Sequence, residues 1–592
     1  MLGFVSERLP NRSDVCILGS LLLVSLALNF IGLSWGLPNG NDTWATDALD
    51  PMTPLAVAYR LIAEGLNSGW FYFKYPPGHS LLLCGVYAPY LVWLWASGQI
   101  GTPTDVYPYG FTDPDRALLV LAMLGRYVSA LMTTAAALIW YGACRELLTE
   151  RAAWFAAWFF ATMFPVIYYA HTTNVEAAMI FWMLLALYGA ARVYTRANDR
   201  LGMIIFAGAS AMALSTKEQA IGLLALVPVV LLAEYGRRRR LGAARALLPN
   251  GWLAGTATAG ALFILLNGIL INPLGFWHRI QFLTHTLPEH LLQQYAPYYF
   301  PISFGGPKDF AGELAQLRDA VNLIGASVGW PLMAVAALGV MIAGWRRSGQ
   351  FFLIPAVAYY AITARAMLVL APRYVLPIAI IVVTFAAIAL DRCLGFAQHQ
   401  KHRGFLSIGI GVLCVFSLMR GVDATRLLLQ DTRYAAENWL KVNAADTASI
   451  EVYQPATYLP RFPIPEQVAH IAIEERSIAR FLSRKPDFVV VSSAGAGNIT
   501  KEYAADWQSS DRQIRGGVSA VPVGASGDVK SLEFEANRRF LDALQQECLG
   551  YHKAARFEAR SWIPEPFIPT LAPKIEIYRR SSSVDSSDRC RF

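Results

Sequence analysis

Apolar residues in this chain gather in long uninterrupted runs separated by short polar stretches. Runs of that length match a bilayer's hydrocarbon thickness rather than the alternation of a strand or the stripe of a soluble helix. The pattern predicts membrane-spanning helices at roughly 15–35, 119–142, 152–170, 177–191, 201–215, 219–233, 252–271, 327–343, 351–370, 374–390 and 405–419. The runs at 201–215 and 219–233 are short, yet charge argues against merging them. Arg192–Arg200 and Arg237–Arg240 are both basic flanks and belong on the same, cytoplasmic side, which needs two crossings between them. His79–Trp95 is apolar enough to count as a further span, but counting it would invert every later loop and put Arg237–Arg240 outside. It reads instead as a helix lying in or dipping into the outer interface, where Tyr and Trp favour the headgroups.

After the last apolar run the texture changes. Ser449–Gln454, Asp487–Ser493 and Lys574–Tyr578 read as short strands, and Asp431–Val442 and Glu533–Gln546 as amphipathic helices. This is the pattern of a small α/β domain, without a Gly-rich phosphate loop or a nucleophile elbow. Ser581–Phe592 reads as a disordered tail. The expected fold is an α-helical polytopic membrane protein of about 11 transmembrane helices with a small extracytoplasmic α/β domain at its C-terminus. Its parts are a membrane domain over 1–420, with outer loops 36–118 and 272–326, the α/β domain over 421–580, and the tail 581–592.

Composition agrees: 55% of the 592 residues are hydrophobic and only 16% charged, where a soluble domain carries about a quarter. The net charge of +8 does not indicate nucleic acid, because the arginines sit in short loops between apolar runs rather than along one soluble face. With the N-terminus inside, the cytoplasmic loops hold about twice the Lys/Arg of the outer loops in about half the length. The expected topology has a cytoplasmic N-terminus and a periplasmic C-terminal domain, and the short arginine-rich loops suit a bacterial inner membrane. Arg8 and Arg12 before Val15–Trp35 resemble a signal sequence, but the long run and the missing cleavage site suit an uncleaved first helix. The seven cysteines show no metal-binding spacing. Cys16, Cys84 and Cys414 read as small buried hydrophobes, and the Ser-rich setting of Cys590 argues against its pairing with Cys548.

The informative polar groups lie at the outer mouths of the predicted helices. Asp47 and Asp50 follow the first span, in a loop that continues to Lys74 and His79. Arg126 lies near the outer end of the second span. His171, Asn174 and Glu176 occupy the turn between the third and fourth, and Lys217 and Glu218 the turn between the fifth and sixth. Arg365 is near the outer end of the ninth, and Arg373-Tyr374 opens the tenth. Each has a plainer reading: Asp50 as a helix cap before Pro51, Lys217 and Glu218 as turn charges, Arg126 and Arg365 as arginines reaching to headgroups, His79 and His171 as structural. Convergence favours function, since five segments bring costly charges to one membrane face.

Several pieces carry a resemblance. They are Trp44-Ala-Thr-Asp47 with Gly69-Trp70 and Lys74-Tyr-Pro-Pro77; Tyr169-Ala-His-Thr-Thr-Asn-Val-Glu176 with Phe181-Trp182; Ser215-Thr-Lys-Glu-Gln-Ala220; and Pro372-Arg-Tyr-Val-Leu-Pro377. Asp431-Thr-Arg433 with Trp439-Leu440, and Lys574-Ile-Glu-Ile-Tyr-Arg579, complete the set. In order and spacing they resemble the polyprenyl-phosphate-sugar-dependent glycosyltransferases of the GT-C superfamily, in the branch of protein O-mannosyltransferases and the lipid A aminoarabinose transferase. The chain departs from that family in two places. Asp47 is followed by Ala48 where the family often has Asp-Glu, which leaves Asp50 as an alternative to share or take over the role given to Asp47. The second acidic position, commonly Asp, is Glu176.

The resemblance implies a sugar donor linked through phosphate to a long isoprenoid that stays in the bilayer, and a site at the membrane boundary. Lys217, Arg373, Arg126 and Arg365 are the candidates for stabilising the leaving phosphate. Asp47 or Asp50 would take the acceptor's proton during inverting attack, and Glu176 would position the acceptor or the base. Lys74, His79, His171, Asn174, Glu218 and Tyr374 are candidate substrate contacts. No cofactor is expected; a carboxylate pair admits a divalent metal, but the resemblance favours metal independence. Protein, lipid and glycan acceptors all remain open. The alternatives are a transporter, whose charges belong near the midplane between repeats, a lipid-carrier-linked glycan polymerase or ligase, and a non-catalytic scaffold.

Overall fold

The structure is a computed structural model. It describes residues 12–37, 52–63, 75–104, 108–196, 199–242, 248–284, 286–288, 290–291, 309–367, 370–396, 403–454, 458–464, 467–471, 475–493, 539–563, 568 and 570–581. The chain divides into two compact units, one of Met1–Ser34, Asp47–Thr425 and Trp562–Phe567, the other of Trp35–Thr46, Arg426–Ser561 and Ile568–Phe592.

The first unit is helical. Among the described residues six helices are long and apolar enough to cross a membrane, or up to eight if each bent pair is one span. Three of the expected spans form shorter apolar helices, Val15–Phe30, Arg200–Thr216 and Trp252–Leu266, while the expected span at 351–370 is the 13-residue helix Arg347–Tyr359 continued by a π-helical turn at Tyr360–Ala364 and is not among the span-length helices. The polar turns between runs double as caps. Asp113, Thr149, Asp199 and Asp309 each accept a backbone N–H three residues on, opening the helices Pro114–Leu147, Glu150–Ala161, Arg200–Thr216 and Phe310–Val328. The expected span at 152–170 is broken, bending by 58° between Glu150–Ala161 and Phe164–Ala170, where Pro165 opens the second piece. The helix Trp330–Ala343 turns by 112° from Phe310–Val328 at Gly329, whose φ of 91° is left-handed backbone that glycine adopts without strain. Gly78–Ala96, expected at the interface, forms a 19-residue helix that also has the length and apolarity of a span.

Small residues set the spacing between these helices, as lipid supplies no hydrophobic drive to association and close backbone approach takes its place. A Cβ on Gly339 would lie 1.9 Å from the carbonyl oxygen of Phe385, on the neighbouring helix Pro372–Phe396. Gly339→Ala is therefore expected to destabilise the bundle by at least about 1–3 kcal/mol, read as a lower unfolding temperature in detergent. An unchanged transition would mean that the two helices do not touch there.

The second unit holds a five-stranded sheet. β1 (Ile450–Val452) pairs in parallel with β2 (Val468–His470) and β3 (Phe488–Ser492), while β5 (Ile575–Arg580) runs antiparallel between β3 and β4 (Tyr551–Phe557). β3 is buried on both faces. Val489 and Val491 pack with Tyr453, Phe481, Phe540 and Tyr551, whereas Phe488 and Val490 pack with Leu440, Ile450 and Ile577. Its run Phe488-Val-Val-Val491 is accordingly apolar throughout instead of alternating. Thr432–Asn443 is helical as expected, and its cap Asp431 has a second use. The Asp431 carboxylate accepts from Arg433, from Trp35 Nε1 at 3.1 Å and from the Ala572 backbone at 2.9 Å, and Arg433 lies 5.5 Å over the Trp35 ring. Cys548, read from the sequence as an improbable disulfide partner, is disulfide-bonded.

Candidate functional site

The helix Arg200–Thr216 ends at Lys217, whose backbone leaves the helix in an extended conformation with its N–H bonded to Ala213 O. The side chain enters protein rather than water: Lys217 is 4% exposed, and its Nζ lies 2.7 Å from Glu176 Oε1. Glu176 is fully buried in the first turn of the helix Val175–Thr195, where the free backbone N–H groups favour a carboxylate. Two tyrosine rings flank the lysine, Tyr75 with its centroid 5.8 Å from Nζ and Tyr374 at 5.6 Å.

Tyr374 connects the pair to a second cation. Arg373 and Tyr374 lie in the first turn of the helix Pro372–Phe396, opened by a proline with the φ such a start requires. The Arg373 guanidinium lies 4.8 Å over the Tyr374 ring and donates through Nη2 to the Tyr374 hydroxyl at 3.0 Å. Its charge also reaches Glu176, Tyr75 and Tyr169. The turn carrying Tyr75 is pressed against the same place. A Cβ on Gly78 would meet Ser215 O at 2.5 Å, so only glycine lets the helix Gly78–Ala96 begin against the end of Arg200–Thr216.

The cluster thus holds two cations and one carboxylate, with the N-terminal turns of the helices at Val175 and Pro372 adding partial positive charge. It also has open valences. Glu176 Oε2, Arg373 Nε and both ring nitrogens of His79 are buried without a hydrogen-bond partner among the described residues. Buried polar groups are nearly always satisfied, so these atoms are available to a ligand. Chemically, the arrangement suits an anion beside a group that can donate to a carboxylate.

The remaining expected residues lie in other settings. Arg126 donates to Leu33 O at 2.9 Å, and the His171 ring nitrogens lie 2.8 Å from Ile167 O and 2.9 Å from Ile31 O. These two side chains hold the end of the first helix. Arg365 is half-exposed and ion-paired with Glu313, and Glu218 is paired with Arg279. Asn174 uses its backbone N–H on the Thr172 hydroxyl. Asp47, Asp50 and Lys74 lie outside the described residues. Sequence reading passed over Tyr75, Tyr169 and Arg279. Tyr75 and Tyr169 stand inside quoted motifs, while Arg279, in the helix Pro273–Leu283, carries no mark beyond being a cation outside the apolar runs.

The fold and this cluster define a polytopic helical membrane protein with a buried, net-cationic site at helix ends. No family model matches the chain, and no curated protein matches it in sequence. Solved structures do resemble it. ArnT from Cupriavidus metallidurans, bound to undecaprenyl phosphate, is 13% identical with a TM-score of 0.44, over 95% of this chain and 98% of that one. The oligosaccharyltransferase AglB from Archaeoglobus fulgidus, in complex with an inhibitory peptide and a dolichol-phosphate, is 12% identical with a TM-score of 0.43, over 96% and 88%. The S. cerevisiae protein O-mannosyltransferase complex bound to the sugar donor is 14% identical with a TM-score of 0.29, over 52% and 40%. These are glycosyltransferases, the class whose motifs the sequence resembles.

Proposed function

We propose that this chain is a membrane glycosyltransferase that moves a sugar from a polyprenyl-phosphate donor to a hydroxyl acceptor at the outer face of the membrane, with inversion. The observation that carries this reading is the buried cluster of Lys217, Arg373 and Glu176 with its excess positive charge and unsatisfied atoms. Charge of that kind at the end of a membrane helix has a high desolvation cost and tends to mark function. A leaving polyprenyl phosphate needs cations at its oxygens, and Lys217 and Arg373 supply them. Arg126, bonded to the Leu33 carbonyl, and the half-exposed Arg365, paired with Glu313, are less suited to that role than the two cations of the cluster.

Asp47 is the proposed base, with Asp50 as its alternate, and the order of the motifs around Trp44–Asp47 supports it. Phosphate is a good leaving group, so no separate general acid is required. The sugar and the acceptor, whether protein, lipid or glycan, are not specified by these residues. The outward placement of the C-terminal domain rests on the basic loops. The disulfide at Cys548 supports it, since such bonds persist outside the reducing cytoplasm.

The test is turnover. Purified protein in lipid nanodiscs is incubated with polyprenyl-phosphate sugars and a membrane extract as acceptor, and released polyprenyl phosphate is measured. Release that depends on the acceptor is expected. Binding or flux of the donor without cleavage would make the protein a transporter.

A further inference from the structure

Resting on that reading, we infer that Glu176 recognises the donor's sugar: its unpaired oxygen Oε2 accepts a hydrogen bond from a hydroxyl or ammonium group next to the anomeric phosphate. The two oxygens of this carboxylate are unlike. Oε1 takes the Lys217 ammonium at 2.7 Å, while Oε2 is buried with no hydrogen-bond partner among the described residues. An ionised carboxylate oxygen left unsatisfied in the interior is costly, and a fully buried one cannot turn to water for relief. Rotating the group to offer Oε2 to Lys217 would only orphan Oε1. The backbone N–H of Glu176 itself also bears on this carboxylate, and the further partner that Oε2 takes is a hydrogen-bond donor arriving with the substrate.

Phosphate cannot be that partner, since it brings acceptors and negative charge to a carboxylate. The phosphate therefore belongs with Lys217 and Arg373, whose Nε is also open. A group that donates hydrogen, within one or two bonds of the phosphorylated carbon, belongs with Glu176. Tyr75 and Tyr374, whose rings face Lys217, add the apolar walls that sugar faces pack against. Glu176 then does two things with one carboxylate: it orients the phosphate-binding lysine, and it distinguishes polyprenyl phosphate that carries a sugar from polyprenyl phosphate that does not. It is neither the base nor merely the counter-ion of Lys217.

The experiment compares binding of two lipids, polyprenyl phosphate and its sugar-bearing form, to wild type and Glu176→Gln in nanodiscs. Glutamine keeps an oxygen for Lys217 but puts a neutral amide N–H where Oε2 was, and it removes one negative charge from the site. Sugar-free polyprenyl phosphate is expected to bind as tightly or more tightly, while the preference for the sugar-bearing form falls about tenfold. Glu176→Asp keeps the charge but withdraws it by one methylene, and a smaller loss of the same preference is expected. It also serves as the readout should the glutamine variant fail to fold. A preference that stays constant in the folded variant, or a parallel loss of both lipids, overturns the inference and leaves Glu176 as a structural partner of Lys217. Wild-type protein that binds neither lipid overturns the transferase reading itself, and this assignment with it.

Discussion

Lys217→Met is expected to abolish sugar transfer and also to destabilise the protein, and the two effects separate in a double variant. Removing the ammonium strands Glu176, which is fully buried, and breaking a buried pair from one side costs about 3–5 kcal/mol. Loss of activity in the single variant is therefore ambiguous. Lys217→Met combined with Glu176→Leu removes both charges, and well-packed apolar replacements of a buried pair are often neutral or stabilising. Unfolding in detergent should return close to wild type, whereas kcat/KM should stay depressed by at least about 10²–10³, the scale of removing one preorganised charge stabiliser. A folded double variant with near-wild-type turnover would show that the pair serves the fold alone.

Asp47→Asn is expected to lower kcat by about 10²–10⁴ with little change in donor affinity, the span a positioned general base contributes. The substitution is nearly isosteric, so insertion and thermal stability should match wild type. Asp50→Asn serves as the comparison. If Asp47 is the base, Asp50→Asn falls less; the reverse order moves the role to Asp50, as the Ala48 departure from the family pattern allows. Unchanged rates in both variants would remove these carboxylates from the chemistry.

Much of this molecule was legible in its sequence because lipid imposes a coarse rule on apolar length. The runs behind Pro114–Leu147, Val175–Thr195 and Pro372–Phe396 all form long helices. Legibility stopped where the backbone bends. A hydropathy pattern averages across Gly329 and across the Thr162–Met163 break, where one residue's φ or a proline one turn on decides the direction. In the second unit, β3 and β5 show as apolar runs. β2 is three residues long and half-exposed to exposed, and β4 carries His552, Lys553 and Arg556, so neither bears the apolar content that marks a strand.

The site was legible as a set of misplaced charges, but not as a set of partnerships. Glu176, Lys217, Arg126, His171 and Arg365 look alike in sequence, each an ionisable group at the end of an apolar run. Only geometry separates Lys217, aimed at Glu176 between two tyrosines, from Arg126, spent on the carbonyl of Leu33. The partners lie 41 and 93 residues away along the chain, and no local spacing encodes such a distance. The tyrosines went unnoticed for a related reason: an aromatic residue beside a membrane helix is ordinary until its ring is seen against a buried ammonium.

The central claim is that Lys217 and Arg373 hold a lipid-linked phosphate, and a structure of the protein in nanodiscs saturated with polyprenyl phosphate tests it most directly. The phosphate is predicted within hydrogen-bond reach, about 3 Å, of Lys217 Nζ and of the Arg373 guanidinium, with Glu176 still on the lysine. Phosphate density elsewhere, with the Lys217–Glu176 pair closed and untouched, would contradict it.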